Sequence, residues 1–238
     1  MKIYDPGKPL ISIHIPKCAG QSFAEVLQAW FGKGYRRHYY DEIRNRPPVR
    51  HDLYRRGIFR RKFRKGICIH GHFNRERGIG VAEYYPEVDQ FITILRDPFE
   101  LHLSNYFFVK RLGKKACRSG KPHPIIENDM DVETYLRRAN YSYITKFFPA
   151  GITLDNYREI LSERFIFMGV AEKLQESVDL LADVLGFPAV QVTEKNVSTR
   201  KEDIPPDARE EFIRNNPLEM AIYDFALESL GLAPAVRE

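Results

Sequence analysis

Residues 11–31, ISIHIPKCAGQSFAEVLQAWF, constrain what this chain can fold into more than any other stretch. The run opens as a short apolar strand with Ser12 and His14 as its polar interruptions. It breaks at Pro16, turns through Lys17, Cys18, Ala19 and Gly20, and resumes with Phe23, Val26, Leu27, Trp30 and Phe31 at helical spacing. The spacing predicts strand, tight loop, helix. The first-turn amides of such a helix lack intrahelical partners and sit at the positive end of its dipole, so an anion fits there. Lys17 adds a mobile charge to that nest. The nucleotide-binding pattern GxxxxGK[ST] is not met, because the lysine precedes the glycine and no GK[ST] follows.

Further strands and helices alternate along the chain. Residues 67–70, 91–95 and 165–170 read as buried strands. The first of these ends in His70-Gly71-His72, and the second delivers Arg96 to its C-terminal end. Asp97, Pro98 and Glu100 then read as N-cap, first-position proline and third-position acid of a helix that carries Leu101, Ser104, Asn105 and Phe108. Other helices are expected at 81–85, from Val132, at 153–161, at 172–185, from Pro205-Pro206 and from Pro217. The last should turn Leu218, Ala221, Ile222 and Phe225 inward.

This alternation argues for an α/β fold, a three-layer sandwich around a central, mostly parallel sheet. The missing GxGxxG disfavours the dinucleotide-binding version. A length of 238 residues suits one domain over 1–238. With 43% hydrophobic and 29% charged residues, the chain is not a disordered one.

A net charge of +5 favours anionic partners without choosing among them. The polar stretch 112–131, with Lys114, Lys115, Arg118 and Lys121 among Gly113, Gly120, Pro122 and Pro124, is the expected acceptor-side loop. The densest charge run, 55–65, suits a solvated face, an acidic acceptor or peripheral membrane contact. No nucleic-acid recognition module accompanies it. Three cysteines without a C-x-x-C pair leave one unpaired in any disulfide scheme, for which a reduced cytosol is the simplest home. No long apolar run precedes the first strand, so neither a signal peptide nor an anchor is expected there.

Pro16-Lys17-Cys18-Ala19-Gly20-Gln21-Ser22-Phe23 resembles the 5'-phosphosulfate loop of sulfotransferases that use 3'-phosphoadenosine 5'-phosphosulfate (PAPS), in particular the carbohydrate-type branch. That signature reads Pro-Lys-x-Ala-Gly-[Thr/Ser]-Ser-Phe, so Gln21 departs by replacing a hydroxyl. The resemblance implies a P-loop-like sulfotransferase fold and a cosubstrate contact along Lys17, Cys18, Ala19, Gly20, Gln21, Ser22 and Phe23. It extends to Arg96 and Ser104, whose spacing is that of the family's pair for the 3'-phosphate; guanidinium and hydroxyl are suited to that anion. His70-Gly71-His72 is similar to the motif of uronosyl 2-O-sulfotransferases, in which the second histidine is the base. His72 is thereby implied as catalytic base and His70 as an orienting neighbour. A late loop that closes over the nucleotide in the family corresponds here to Lys195, Asn196, Ser198, Thr199 and Arg200.

The resemblance implies sulfuryl transfer from PAPS to an acceptor hydroxyl, with an anionic glycan or glycolipid as acceptor and no metal. A near-neutral pKa is expected for His72 in an unexceptional environment. Lys17 and the amides of Gly20 to Phe23 are expected to stabilise the departing 5'-phosphate. Members in the eukaryotic Golgi carry a membrane anchor, so this chain is expected to be a cytoplasmic bacterial enzyme or an excised catalytic domain. Two alternatives stand beside this reading: a nucleotide-dependent phosphotransferase, for which a magnesium-triphosphate site is wanting, and a non-catalytic anion- or glycan-binding protein.

Overall fold

A computed structural model describes residues 1–54, 66–118, 121–139, 143–193 and 203–232. The arginine-rich run 55–65 and the late-loop residues Lys195, Ser198 and Arg200 lie outside the described residues. The strands are β1 (Leu10–His14), β2 (Tyr35–His38), β3 (Cys68–Gly71), β4 (Phe91–Leu95), β5 (Cys117–Arg118), β6 (Lys121–Pro122) and β7 (Phe165–Val170). The helices are α1 (Gly20–Phe31), α2 (Val81–Tyr84), α3 (Pro98–Leu112), α4 (Pro124–Glu127), α5 (Val132–Arg138), α6 (Tyr157–Arg164), α7 (Leu174–Leu185), α8 (Ala208–Asn215) and α9 (Pro217–Ser229).

Five strands form one sheet in the order β2-β3-β1-β4-β7, each pair parallel. Parallel strands covered on both faces are continuous apolar runs, and β4 and β7 are buried at every position. Leu10 and Ile92 pack with Phe23 and Leu27 of α1 and Val178 and Leu181 of α7. Ile11 and Ile13 instead join Leu161 of α6 and Ile222 and Phe225 of α9 on the opposite face. The result is an α/β fold in which helices flank a parallel sheet on both sides. Among the described residues, no helix is long and apolar enough to cross a membrane.

The Asp97 carboxylate accepts from the Glu100 amide at 3.1 Å, and Pro98 opens α3, as the motif predicts. Other details differ from the sequence reading. β2 forms an edge strand where no strand is expected from the sequence, and its pairing to β3 supplies what its sequence pattern lacks. α6 starts at Tyr157, four residues late, because the Asn156 side chain holds a turn by accepting from the Thr153 amide. The stretch 112–131 carries the antiparallel β5–β6 pair and α4 rather than loop alone. In α9, Leu218 and Ala221 are only half-buried, whereas Glu219 is 2% exposed. Its Oε1 accepts from the Ile144 amide at 2.5 Å, which draws this first-turn acid inward.

Candidate active site

Every strand of the main sheet ends on the same edge, and β1 lies between β3 and β4. The strand order reverses beside β1, and open α/β sheets leave a crevice beyond the strand ends at that point. Three neighbouring strands therefore deliver the predicted groups together: His72 follows β3, the loop 15–19 follows β1, and Arg96 follows β4.

The loop owes its shape to two non-glycine residues in the left-handed region, Lys17 at φ 71° and Ala19 at φ 53°. Each such conformation costs about 1–3 kcal/mol, and strain of this kind concentrates at functional sites. The Cys18 amide closes the turn on the Ile15 carbonyl at 3.2 Å. Ala19 occupies the N-cap of α1 with no side-chain cap, and no acidic residue stands in the first turn. The amides of Gly20, Gln21 and Ser22 are thus the set an anion would meet. Phe23 does not belong to it: its amide bonds to the Ala19 carbonyl at 3.1 Å and its ring is in the core. The Cys18 thiol is also buried in the core, where burial pushes its pKa up. Ser22 donates its hydroxyl to the Thr193 carbonyl at 2.8 Å.

Cations crowd this loop. Lys17 Nζ stands 3.9 Å from the centroid of the Phe108 ring, and its pKa falls to about 8 through burial and the neighbouring charges of Arg111 and Arg96. Arg96 Nη1 donates to the Lys17 carbonyl at 3.4 Å, while its other nitrogen lies 3.9 Å from Glu100. Glu100, Ser104, Phe108 and Arg111 recur at three- and four-residue steps and so share one stripe of α3. Arg96 and Phe108 both meet Lys17, which puts buried Ser104, between them in the chain, on the side of α3 turned to the loop.

The histidines form a stack. His14, the last residue of β1, lies parallel to His70 with centroids 5.1 Å apart and tilted against His72 at 4.5 Å. Ser12 Oγ pairs with His70 Nδ1 at 2.9 Å, across the register that sets Ser12 beside His70. Tyr39 closes the group, its hydroxyl 2.8 Å from His14 Nδ1 and its ring 4.8 Å from that of His72. Gly71 is required between the two histidines because a Cβ would lie 1.8 Å from the His38 carbonyl oxygen, which accepts from the His72 amide. Burial lowers His72 to about 4, helped by Arg77, in place of the near-neutral value an unexceptional environment would allow. His70 falls to about 3 for the same first reason, with His72 adding to it. Both His70 and His72 leave a buried Nε2 without a partner. Among the described residues no group of three His, Cys, Asp or Glu is placed to hold a metal ion.

From the sequence His14 is only a strand interruption, Phe108 only a residue of α3, and Tyr39 and Arg111 carry no expected role. A histidine closing a buried strand just before the Lys17 turn is the one available signal.

No family model matches the chain, and no curated protein matches it. Among solved structures, a mouse sulfotransferase complexed with PAP is similar over 93% of this chain and 68% of its own. The match is weak. Its TM-score is 0.43 and its sequence identity 12%.

Proposed function

We propose that this chain is a sulfotransferase that moves a sulfuryl group from PAPS to an acceptor hydroxyl. The observation that carries this reading is the placing of an uncapped, cation-lined anion loop and a half-buried neutral histidine on adjacent strand ends. PAPS would supply an activated sulfuryl group and depart as adenosine 3',5'-bisphosphate. Lys17 and the amides of Gly20, Gln21 and Ser22 hold the 5' anion and offset the charge that develops as it leaves. Arg96 and Ser104 hold the 3'-phosphate, and that remote grip orients the donor.

His72 acts as the base. At neutral pH it is uncharged, so its unpartnered Nε2 can accept the acceptor's proton as the new oxygen–sulfur bond forms. A dianionic donor nearby raises the pKa of this histidine above its value in the empty site. We assign the acceptor to the anionic glycans or glycolipids, drawn by the basic residues of 112–131 and 55–65. The late residues Lys195, Ser198 and Arg200 complete the nucleotide contact in this reading. The chain enters that segment beside α1, since Thr193 is bonded to Ser22.

Calorimetric titration tests the donor class. Adenosine 3',5'-bisphosphate should bind saturably while ATP with magnesium binds weakly, and labelled PAPS should then transfer to a glycan panel. Binding of ATP with magnesium and not of the bisphosphate would overturn the reading in favour of a phosphotransferase.

A further inference from the structure

His14 carries no function in the reading above, yet it touches both halves of the site. Its ring meets His72 on one side. On another it meets the start of the anion helix: a Cβ on Gly20 would lie 1.7 Å from His14 Nε2 and 2.3 Å or less from both flanking ring carbons. Glycine at the first position of α1 is thus what lets the Nε2 edge of the imidazole approach the anion loop. A second buried ring points to a ligand at the same place. His70 is fully buried, its Nε2 has no partner at full hydrogen-bond geometry, and the nearby Gly20 backbone draws its pKa upward.

The partner of its other nitrogen bears on where the His14 proton sits. Nδ1 faces the Tyr39 hydroxyl at 2.8 Å. Burial holds that phenol well above its usual range, so its O–H is retained. His14 itself is held neutral by burial and by its His72 and His70 neighbours. A phenol hydroxyl can donate to Nδ1 or accept from it, and where it donates the single imidazole proton sits on Nε2, the edge turned to Gly20.

We propose that Tyr39 sets the tautomer of His14 so that its Nε2–H is a neutral hydrogen-bond donor to the anion bound at the start of α1. This rests on the anion-loop part of the proposed function, and it explains why the donor is a histidine. A lysine or arginine at this place would put a permanent cation against His72 and oppose the protonation a base must undergo. A neutral N–H adds a bond to the sulfuryl or phosphate oxygen without that penalty.

The test uses the full chain labelled with 15N-histidine and two probes, inorganic pyrophosphate and adenosine 3',5'-bisphosphate. In the wild type, NMR should find His14 protonated at Nε2 and bare at Nδ1, and Tyr39→Phe should convert it to a mixture. His14→Phe should bind both probes roughly tenfold more weakly, as expected for one lost bond to an anion, and His14→Gln, which keeps an N–H, should recover part of the loss. An Nδ1–H tautomer in the wild type overturns the proposal, as does unchanged probe affinity in a folded His14→Phe protein. Pyrophosphate binding without bisphosphate binding, with the same His14 dependence, would support His14 while removing PAPS as the donor. Binding of neither probe removes both.

Discussion

Arg96 donates to the backbone carbonyl of Lys17, so the cation at the end of β4 is tied to the loop that follows β1. One residue thereby supports the loop and, in the proposed reading, binds the 3'-phosphate. It also contributes to holding the Lys17 pKa down.

Arg96→Ala should therefore weaken adenosine 3',5'-bisphosphate by at least about tenfold, and Arg96→Lys should recover little, because a point charge does not replace a fork of donors. Calorimetry reads the effect. If the alanine variant binds as the wild type does, Arg96 makes no phosphate contact.

The pH dependence of kcat/KM should be bell-shaped with unusual limits. Its acid limb should fall near pH 4, where free-enzyme His72 becomes charged, instead of near 6.5. Its basic limb should fall near pH 8, where Lys17 loses its proton. Lys17→Arg should remove the basic limb, since a guanidinium stays charged. Arg111→Ala should move that limb upward, because a like charge is removed from beside Lys17. A basic limb that stays in place in Lys17→Arg belongs to another group.

His72→Ala should lower transfer by about 10²–10⁴ while leaving bisphosphate affinity within about twofold. Turnover and titration on the same preparation separate the two effects. Equal losses in both would make His72 a binding residue instead of the base.

Glu219 should make the fold less stable as pH rises. Burial lifts its carboxyl from an ordinary 4.5 to about 8. Between those values the folded state holds a proton that the unfolded chain releases, so stability declines with increasing pH. Glu219→Gln keeps an acceptor for the Ile144 amide and removes the titration. It should be more stable by about 1–3 kcal/mol at pH 7 and nearly equal to wild type at pH 5. Urea unfolding at the two pH values decides it, and a difference that does not change with pH would show that the carboxyl is not titrating in the fold.

The turn that opens α1, three of the four predicted strands and the cap of α3 stand where the sequence put them, and the strand read at 67–70 is shifted by one residue as β3. These features are legible because their causes act over a few residues: apolar runs, a proline at a helix start, a glycine where a backbone must pass. The sequence by itself determined that a lysine-bearing turn opens a helix and that Arg96 closes a strand. It could not determine that β1 lies between β3 and β4, and that order is what brings Lys17, His72 and Arg96 to one edge. The same holds for His14 between two other histidines, for the inward turn of Glu219, and for a His72 pKa near 4. Each depends on contacts between segments far apart in the chain, and the desolvation that sets these charges exists only once those segments have packed.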